Sequence, residues 1–278
     1  CSSDLLFAVP SQRRPPNQSG QEVLFSKDGK YLVVQDFQDT KNGEPKFPRT
    51  YDDPAELPAR QDKERYVLGR IWDIEKRQEV AQLRGPGSIL YAGVQGGMCL
   101  PPILDGEEVL VMLRGAVVSV YAIRTGEPAG ELNLQFPFAG KPNFGWGYVK
   151  MFCHPARAEV ALVGGPFMRV GPMFGYPINS GATPIVIVDL DKKAIKKVLY
   201  SATPLNGVVY TADGGKLISF GAPPIRVWDA NADFAAVGEI DEPYLNSGLL
   251  TPIPGYGGFL GISNALRVWS VEELRNVY

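Results

Sequence analysis

A five-residue signature recurs five times along this chain, and it restricts the fold more than any other feature of the sequence. The copies are Gly69-Arg70-Ile71-Trp72-Asp73, Val118-Ser119-Val120-Tyr121-Ala122, Ile185-Val186-Ile187-Val188-Asp189, Ile225-Arg226-Val227-Trp228-Asp229 and Leu266-Arg267-Val268-Trp269-Ser270. Trp72, Tyr121, Val188, Trp228 and Trp269 hold the same place in each copy, at spacings of 49, 67, 40 and 41 residues. β-Branched and aromatic residues dominate each copy, as in a buried strand.

Each copy sits third in a repeating order of four apolar segments. The order is cleanest at Gly207–Tyr210, Lys216–Phe220, Ile225–Asp229 and Ala235–Ile240, with Asp213-Gly214 between the first two. Such a hairpin turn needs φ > 0, which Gly and Asp tolerate. The pair recurs as Asp28-Gly29 and Asp105-Gly106. A unit of about 40–45 residues with one such strand is the period of a β-propeller blade. The sequence therefore predicts an all-β chain of four-stranded blades. Five is the expected number, and six is the alternative if an insertion hides a diverged copy. The last repeat runs out near Leu274–Tyr278, and Leu5–Val9 is an apolar strand with no repeat of its own. The N-terminal strand is thus expected to complete the last blade and close the ring without an exposed edge. Two regions follow: 1–21, with the closing strand and a linker, and 22–278, the propeller. The signature strand is expected to turn its Trp, Tyr or Val toward the next blade.

The Trp-Asp pairs at Trp72-Asp73 and Trp228-Asp229, repeated in register with three degraded copies, resemble WD40-type repeats over about residues 22–278. The Gly-His dipeptide of that family is absent, since His154 is the only histidine. The resemblance implies a divergent propeller that lacks the family's His/Asp/Trp hydrogen-bond network. The opening Cys1-Ser2-Ser3-Asp4 resembles a bacterial lipoprotein after signal-peptide removal. That likeness implies acylation at Cys1 and a lipid-anchored position in the cell envelope, periplasmic or on the outer surface, with a soluble cytoplasmic chain as the alternative.

A net charge of −2 and a pI near 5.6 exclude the broad basic surface of a nucleic-acid binder. No run of 18 apolar residues offers a membrane-spanning helix. Cys99 and Cys153 lie near the inner strands of neighbouring repeats. A disulfide between them and a pair of small buried hydrophobes are equal readings.

Three stretches break the period. Residues 36–64 are polar and Pro-rich and read as a solvated loop or a partner-binding arm, with Phe47, Tyr51 and Leu57 as anchors. Residues 164–178 carry one charge, Arg169, among Phe167, Met168, Met173, Phe174 and Tyr176. Their Gly and Pro predict an irregular apolar loop that folds back on the ring or meets a partner. Residues 136–148 interleave aromatics with Gly and are expected to fill space between blades.

Chemistry is scarce. A single histidine removes most catalytic triads and His-based metal sites. Cys153 and His154 are adjacent on a strand and point to opposite faces, which separates thiol from imidazole. No Gly-rich phosphate loop precedes a helix. The sequence thus predicts no catalytic residue, no metal and no cofactor. It favours a lipid-anchored scaffold or accessory subunit with protein partners in a membrane-associated complex. The alternative is an enzyme or small-ligand binder using the central channel, where Phe25, Leu100, Phe152, Tyr210 and Thr251 are expected.

Overall fold

A computed structural model describes residues 23–26, 28–35, 40–41, 44–45, 66–85, 98–100, 108–114, 117–133, 144–170, 174–177, 183–203, 205–221, 224–240, 249–253, 258–262, 266–273 and 275–276. All regular structure among them is β, and every pairing is antiparallel.

The strands form five sheets in chain order. The first joins β1 (Val23–Phe25), β2 (Tyr31–Gln35), a short β3 (Thr40–Lys41) and β4 (Glu44–Pro45) hairpin, β5 (Tyr66–Asp73) and β6 (Gln78–Gly85). The second holds β7 (Met98–Cys99), β8 (Val109–Arg114), β9 (Val117–Ala122) and β10 (Pro128–Asn133). The third holds β11 (Phe144–Cys153), β12 (Glu159–Val170), β13 (Phe174–Pro177), β14 (Thr183–Asp189) and β15 (Ala194–Ser201). The fourth comprises β16 (Leu205–Tyr210), β17 (Lys216–Gly221), β18 (Ile225–Asp229) and β19 (Ala235–Ile240). The fifth comprises β20 (Leu249–Pro252), β21 (Gly258–Ile262), β22 (Leu266–Ser270) and β23 (Arg275–Asn276). Each sheet contains a four-stranded meander whose third strand carries the signature.

Packing follows from the period of two. In β8, Val109, Val111 and Leu113 join Val160, Leu162, Val186 and Val188 of the third sheet, whereas Leu110 and Met112 meet Val33, Ile71 and Leu83 of the first. In β12 and β14, Ala161, Val163, Ile185 and Ile187 pack on Val208, Leu217 and Trp228 of the fourth. Ile218, Phe220 and Val227 then meet Phe259 and Trp269 of the fifth, which stack with ring centroids 5.3 Å apart. A strand buried on both faces needs apolar residues at every position, which is why Val109–Leu113 and Ile185–Val188 read as continuous runs. Tyr121, Val188, Trp228 and Trp269 each lie in the core shared with the preceding sheet, which reverses the expected direction toward the next blade. Period two sets that these residues share a face; it carries no information about which neighbour that face meets.

The backbone repeats as faithfully as the side chains. In four sheets the outer strand slips one residue opposite the Trp position, leaving Val80, Ala129, Lys196 and Val237 as bulges. The fourth residue beyond the signature has a positive φ in each of those sheets: Arg77, Gly126, Lys193 and Asp233. The signature Asp closes that turn, since Asp73 Oδ1 accepts from Lys76 N (2.8 Å) and Asp229 Oδ1 from Asn231 N (2.9 Å). The Lys76 backbone N–H and then its ammonium hold the Asp73 carboxyl below the usual carboxylate range. The next residue returns to the first turn of its own sheet, in Ile74 N to Lys30 O, Ile123 N to Glu108 O, Leu190 N to Ala158 O and Ala230 N to Gly215 O.

Three expectations change. Arg275–Asn276 pairs with Trp269 and Ser270, so the chain itself begins a fourth strand in the last sheet. Closure by Leu5–Val9 lies outside the described residues. The 36–64 insertion contains the β3–β4 hairpin, held to β5 by Lys41 opposite Tyr66. Residues 164–178 are strand rather than irregular loop through most of their length, because β12 continues to Val170 and β13 pairs back on it.

Gly126 (φ +70°) sits against β6, where an added Cβ would lie 2.9 Å from Ala81 Cβ and 3.2 Å from Gln82 O. Gly126→Ala therefore meets both a left-handed backbone and a closed contact, and it should cost about 2 kcal/mol of stability in urea unfolding.

Candidate functional site

The densest polar chemistry among the described residues lies where the third and fourth sheets meet at their first turns. Three of these turns share one construction. Ser26 N bonds Tyr31 O, Thr211 N bonds Lys216 O and His154 N bonds Glu159 O, each at 2.9 Å. In the first and fourth sheets a hydroxyl then caps the turn, with Ser26 Oγ accepting from Tyr31 N (2.8 Å) and Thr211 Oγ1 from Lys216 N (2.9 Å). In the third sheet an imidazole stands at the same position and accepts from nearer N–H groups. His154 Nδ1 accepts from Ala156 N and Arg157 N, both at 3.0 Å.

Nε2 stands 3.0 Å from Gly214 O, joining the two turns, and Arg157 Nε donates to the same nitrogen at 2.9 Å. Gly214 is required here, since a Cβ would fall 2.2 Å from His154 Cε1 and φ is +73°. The Arg157 guanidinium lies against the same Nε2, with Nη2 at 2.7 Å, and both of its Nη atoms reach Ala230 O at 3.3 Å. Tyr210 meets the imidazole edge-on at 4.7 Å. Its hydroxyl donates to Glu159 Oε1 (3.1 Å), and Lys196, the bulge residue of β15, reaches Glu159 Oε2 at 2.6 Å. Glu159 is 3% exposed, so its charge is sustained by these two partners.

Burial comes first among the causes that lower the His154 pKa, and the Arg157 charge comes second. Burial also pushes the Tyr210 hydroxyl well above its ordinary value, and the Glu159 carboxylate adds to it. Every group in the chain Lys196–Glu159–Tyr210 and His154–Gly214–Arg157 is spent on another protein group. The cluster holds two sheets in register. Among the described residues no three His, Cys, Asp or Glu side chains converge.

Cys153, the residue before His154, is bonded to Cys99 with Cα atoms 5.7 Å apart. The bridge joins β7 to β11 and so ties the second sheet to the third. Bonded sulfur supplies no thiolate for a couple with the imidazole. Closing a loop of 54 residues removes about 4 kcal/mol of chain entropy from the unfolded state.

Phe47, Tyr51, Leu57, Met173 and Cys1 lie outside the described residues. Phe167, Met168, Phe174 and Tyr176 lie on a three-stranded ribbon made by the two later insertions together. The start of β11 pairs with the end of β12, placing Trp146 opposite Pro166 and Phe144 opposite Met168. On the other side Met168 stands opposite Tyr176 and Val170 opposite Phe174. Directly paired residues share a face of a sheet. The alternation of aromatic residues with Gly at 144–147 was the available sequence signal for this pairing.

Of the residues expected at a channel, Phe25 is 62% exposed, Thr251 is exposed, and Leu100 and Phe152 are half-buried. Tyr210 is turned into the interface between the sheets. A cleft of about 150 Å³ opens between the second and third sheets, floored by Val118, Val120 and Leu190 and edged by Glu131, Asp191 and Lys193. Sequence reasoning missed both the His154 cluster and this cleft. Compared with protein-family models and with curated proteins, the chain matches none.

Tyr210→Phe removes one of the two donors to a buried carboxylate. The substitution should cost about 1–2 kcal/mol in urea unfolding, with little change in the far-UV spectrum.

Proposed function

We propose that the five sheets are the blades of one closed β-propeller of divergent WD40-like type, and that the protein is a non-catalytic scaffold or accessory subunit. Its partners are proteins of a membrane-associated assembly. The observation that carries this reading is the ribbon of β11, β12 and β13, which extends the third sheet beyond its four-strand unit along a stretch of sequence rich in aromatic and Met residues. Met and aromatic residues suit irregular protein contacts. The Cys99–Cys153 bond supports a location in an oxidising compartment such as the cell envelope. A ring with its polar cluster consumed by structure favours a platform over a channel enzyme.

Ring closure is supported by the first sheet. Phe25, Leu32 and Trp72 form one cross-strand row, and Val23 and Val34 belong to the next row on that face. This is the side on which every later sheet meets its predecessor, and in a ring it faces the fifth sheet.

Two experiments test the reading. Replacing Met168, Phe174 and Tyr176 together with Ser should abolish cross-linking to partner subunits in the native host. Retention of every cross-link by the folded triple variant overturns the scaffold role of the ribbon. In a closed ring Phe25→Ser should destabilise the protein by about 2–3 kcal/mol in urea unfolding. An unchanged midpoint counts against closure on that face.

A further inference from the structure

We propose that His154 is an acid-sensitive latch between the third and fourth sheets, holding the two turns together as a neutral ring and releasing them when it gains a second proton. The geometry that carries this is the set of donors around the imidazole. Nδ1 already accepts two backbone N–H groups, from Ala156 and Arg157. A proton added there would face two N–H groups at 3.0 Å and remove the acceptor that holds them. The same proton makes the ring a cation against the Arg157 guanidinium, which stands 2.7 Å from Nε2. The corresponding turns of the first and fourth sheets use Ser26 and Thr211, hydroxyls that do not titrate in this range, so of these three turns the one with His154 responds to mild acid.

The charged groups around the ring do not offset this. On its own strand and turn stand Arg157, which opposes a second positive charge, and Glu159, which favours it. Glu159 is already engaged by Lys196 of β15 and by the Tyr210 hydroxyl of β16. Lys196 adds a further positive charge. In the facing turn of the fourth sheet, Asp213 is taken up by Thr211 Oγ1 (2.6 Å) and Gly215 N (2.9 Å). Asp229 is taken up by Lys216 and by backbone N–H groups. Burial of the ring works in the same direction as Arg157 and keeps it neutral below its ordinary pKa of 6.5.

The sign follows from proton counting. Between the folded and unfolded pKa the unfolded chain binds one more proton than the folded chain, so stability falls as pH drops. The contribution is complete above pH 6.5 and is lost as pH falls from there toward the folded pKa. Acid loss from Asp28, Asp73, Asp189, Asp213 and Asp229, whose carboxyls are held below 3.8, occupies a separate window at lower pH.

The test compares the wild-type chain with His154→Thr, which places at this position the hydroxyl of the sister turns and removes the titrating ring. Unfolding by urea is followed from pH 8 to pH 5. The wild type should show an unfolding constant that rises toward tenfold per pH unit below 6.5, and the variant should lose that dependence. Equal slopes in the two proteins overturn the proposal. If the variant fails to fold, the wild type still decides the matter, because one histidine gives one imidazole NMR signal. A midpoint below 6.5, together with faster exchange of the Ala156 and Arg157 amides after correction for intrinsic rates, supports the latch. A midpoint at or above 6.5, or protection unchanged across it, overturns it.

Discussion

Every core in this protein belongs to two sheets at once. Val109, Val111 and Leu113 face the third sheet while Leu110 and Met112 face the first, and the same division recurs along β12, β14, β17 and β18. A four-stranded sheet with two apolar faces has no stable existence by itself in water, because each face exposes a full row of Val, Ile and Leu. Stability therefore resides in the interfaces, and the chain behaves as a row of units that support their nearest neighbours. The bulges, the positive-φ turns and the Asp caps all keep successive sheets alike enough to stack.

Much of this was legible in the sequence. The signature located the third strand of each sheet because it combines a two-faced apolar strand with a turn that needs a short polar cap. The Asp73, Asp189 and Asp229 side chains perform that capping, and Ser270 does so through its hydroxyl to Glu273 N. Period two could not tell which neighbour the Trp face would meet, since that depends on the handedness of stacking. The ribbon of β11, β12 and β13 was hidden for another reason. Its strands become regular only when residues near 145 and residues near 167 supply each other's hydrogen bonds, and Gly and Pro locally argue against a strand.

The His154 cluster was hidden by residue identity. A turn built by Ser in one repeat, Thr in another and His in a third shows no pattern to the eye, although all three side chains accept backbone N–H groups of their own turn. The substitution adds a second reach. A hydroxyl ends at its own turn, whereas the imidazole spans to Gly214 O on the next sheet. Tyr210, Glu159 and Lys196 then extend the polar contact into the interface. Repetition supplies the frame, and the single departure from it supplies the specific contact.

The third sheet is bound to its two neighbours by different means: a covalent bridge from β11 to β7 on one side and the buried polar cluster to the fourth sheet on the other. Among the described residues the first and fifth sheets meet their neighbours chiefly through apolar packing. In a nearest-neighbour array, loss of order starts where the coupling is weakest and stops where it is strongest. The middle of the chain, from the second sheet to the fourth, is then the last part to come apart. A limited protease that cuts within the first or the fifth sheet would leave that block standing, with its bridge and its cluster intact, as the structural remnant of the whole.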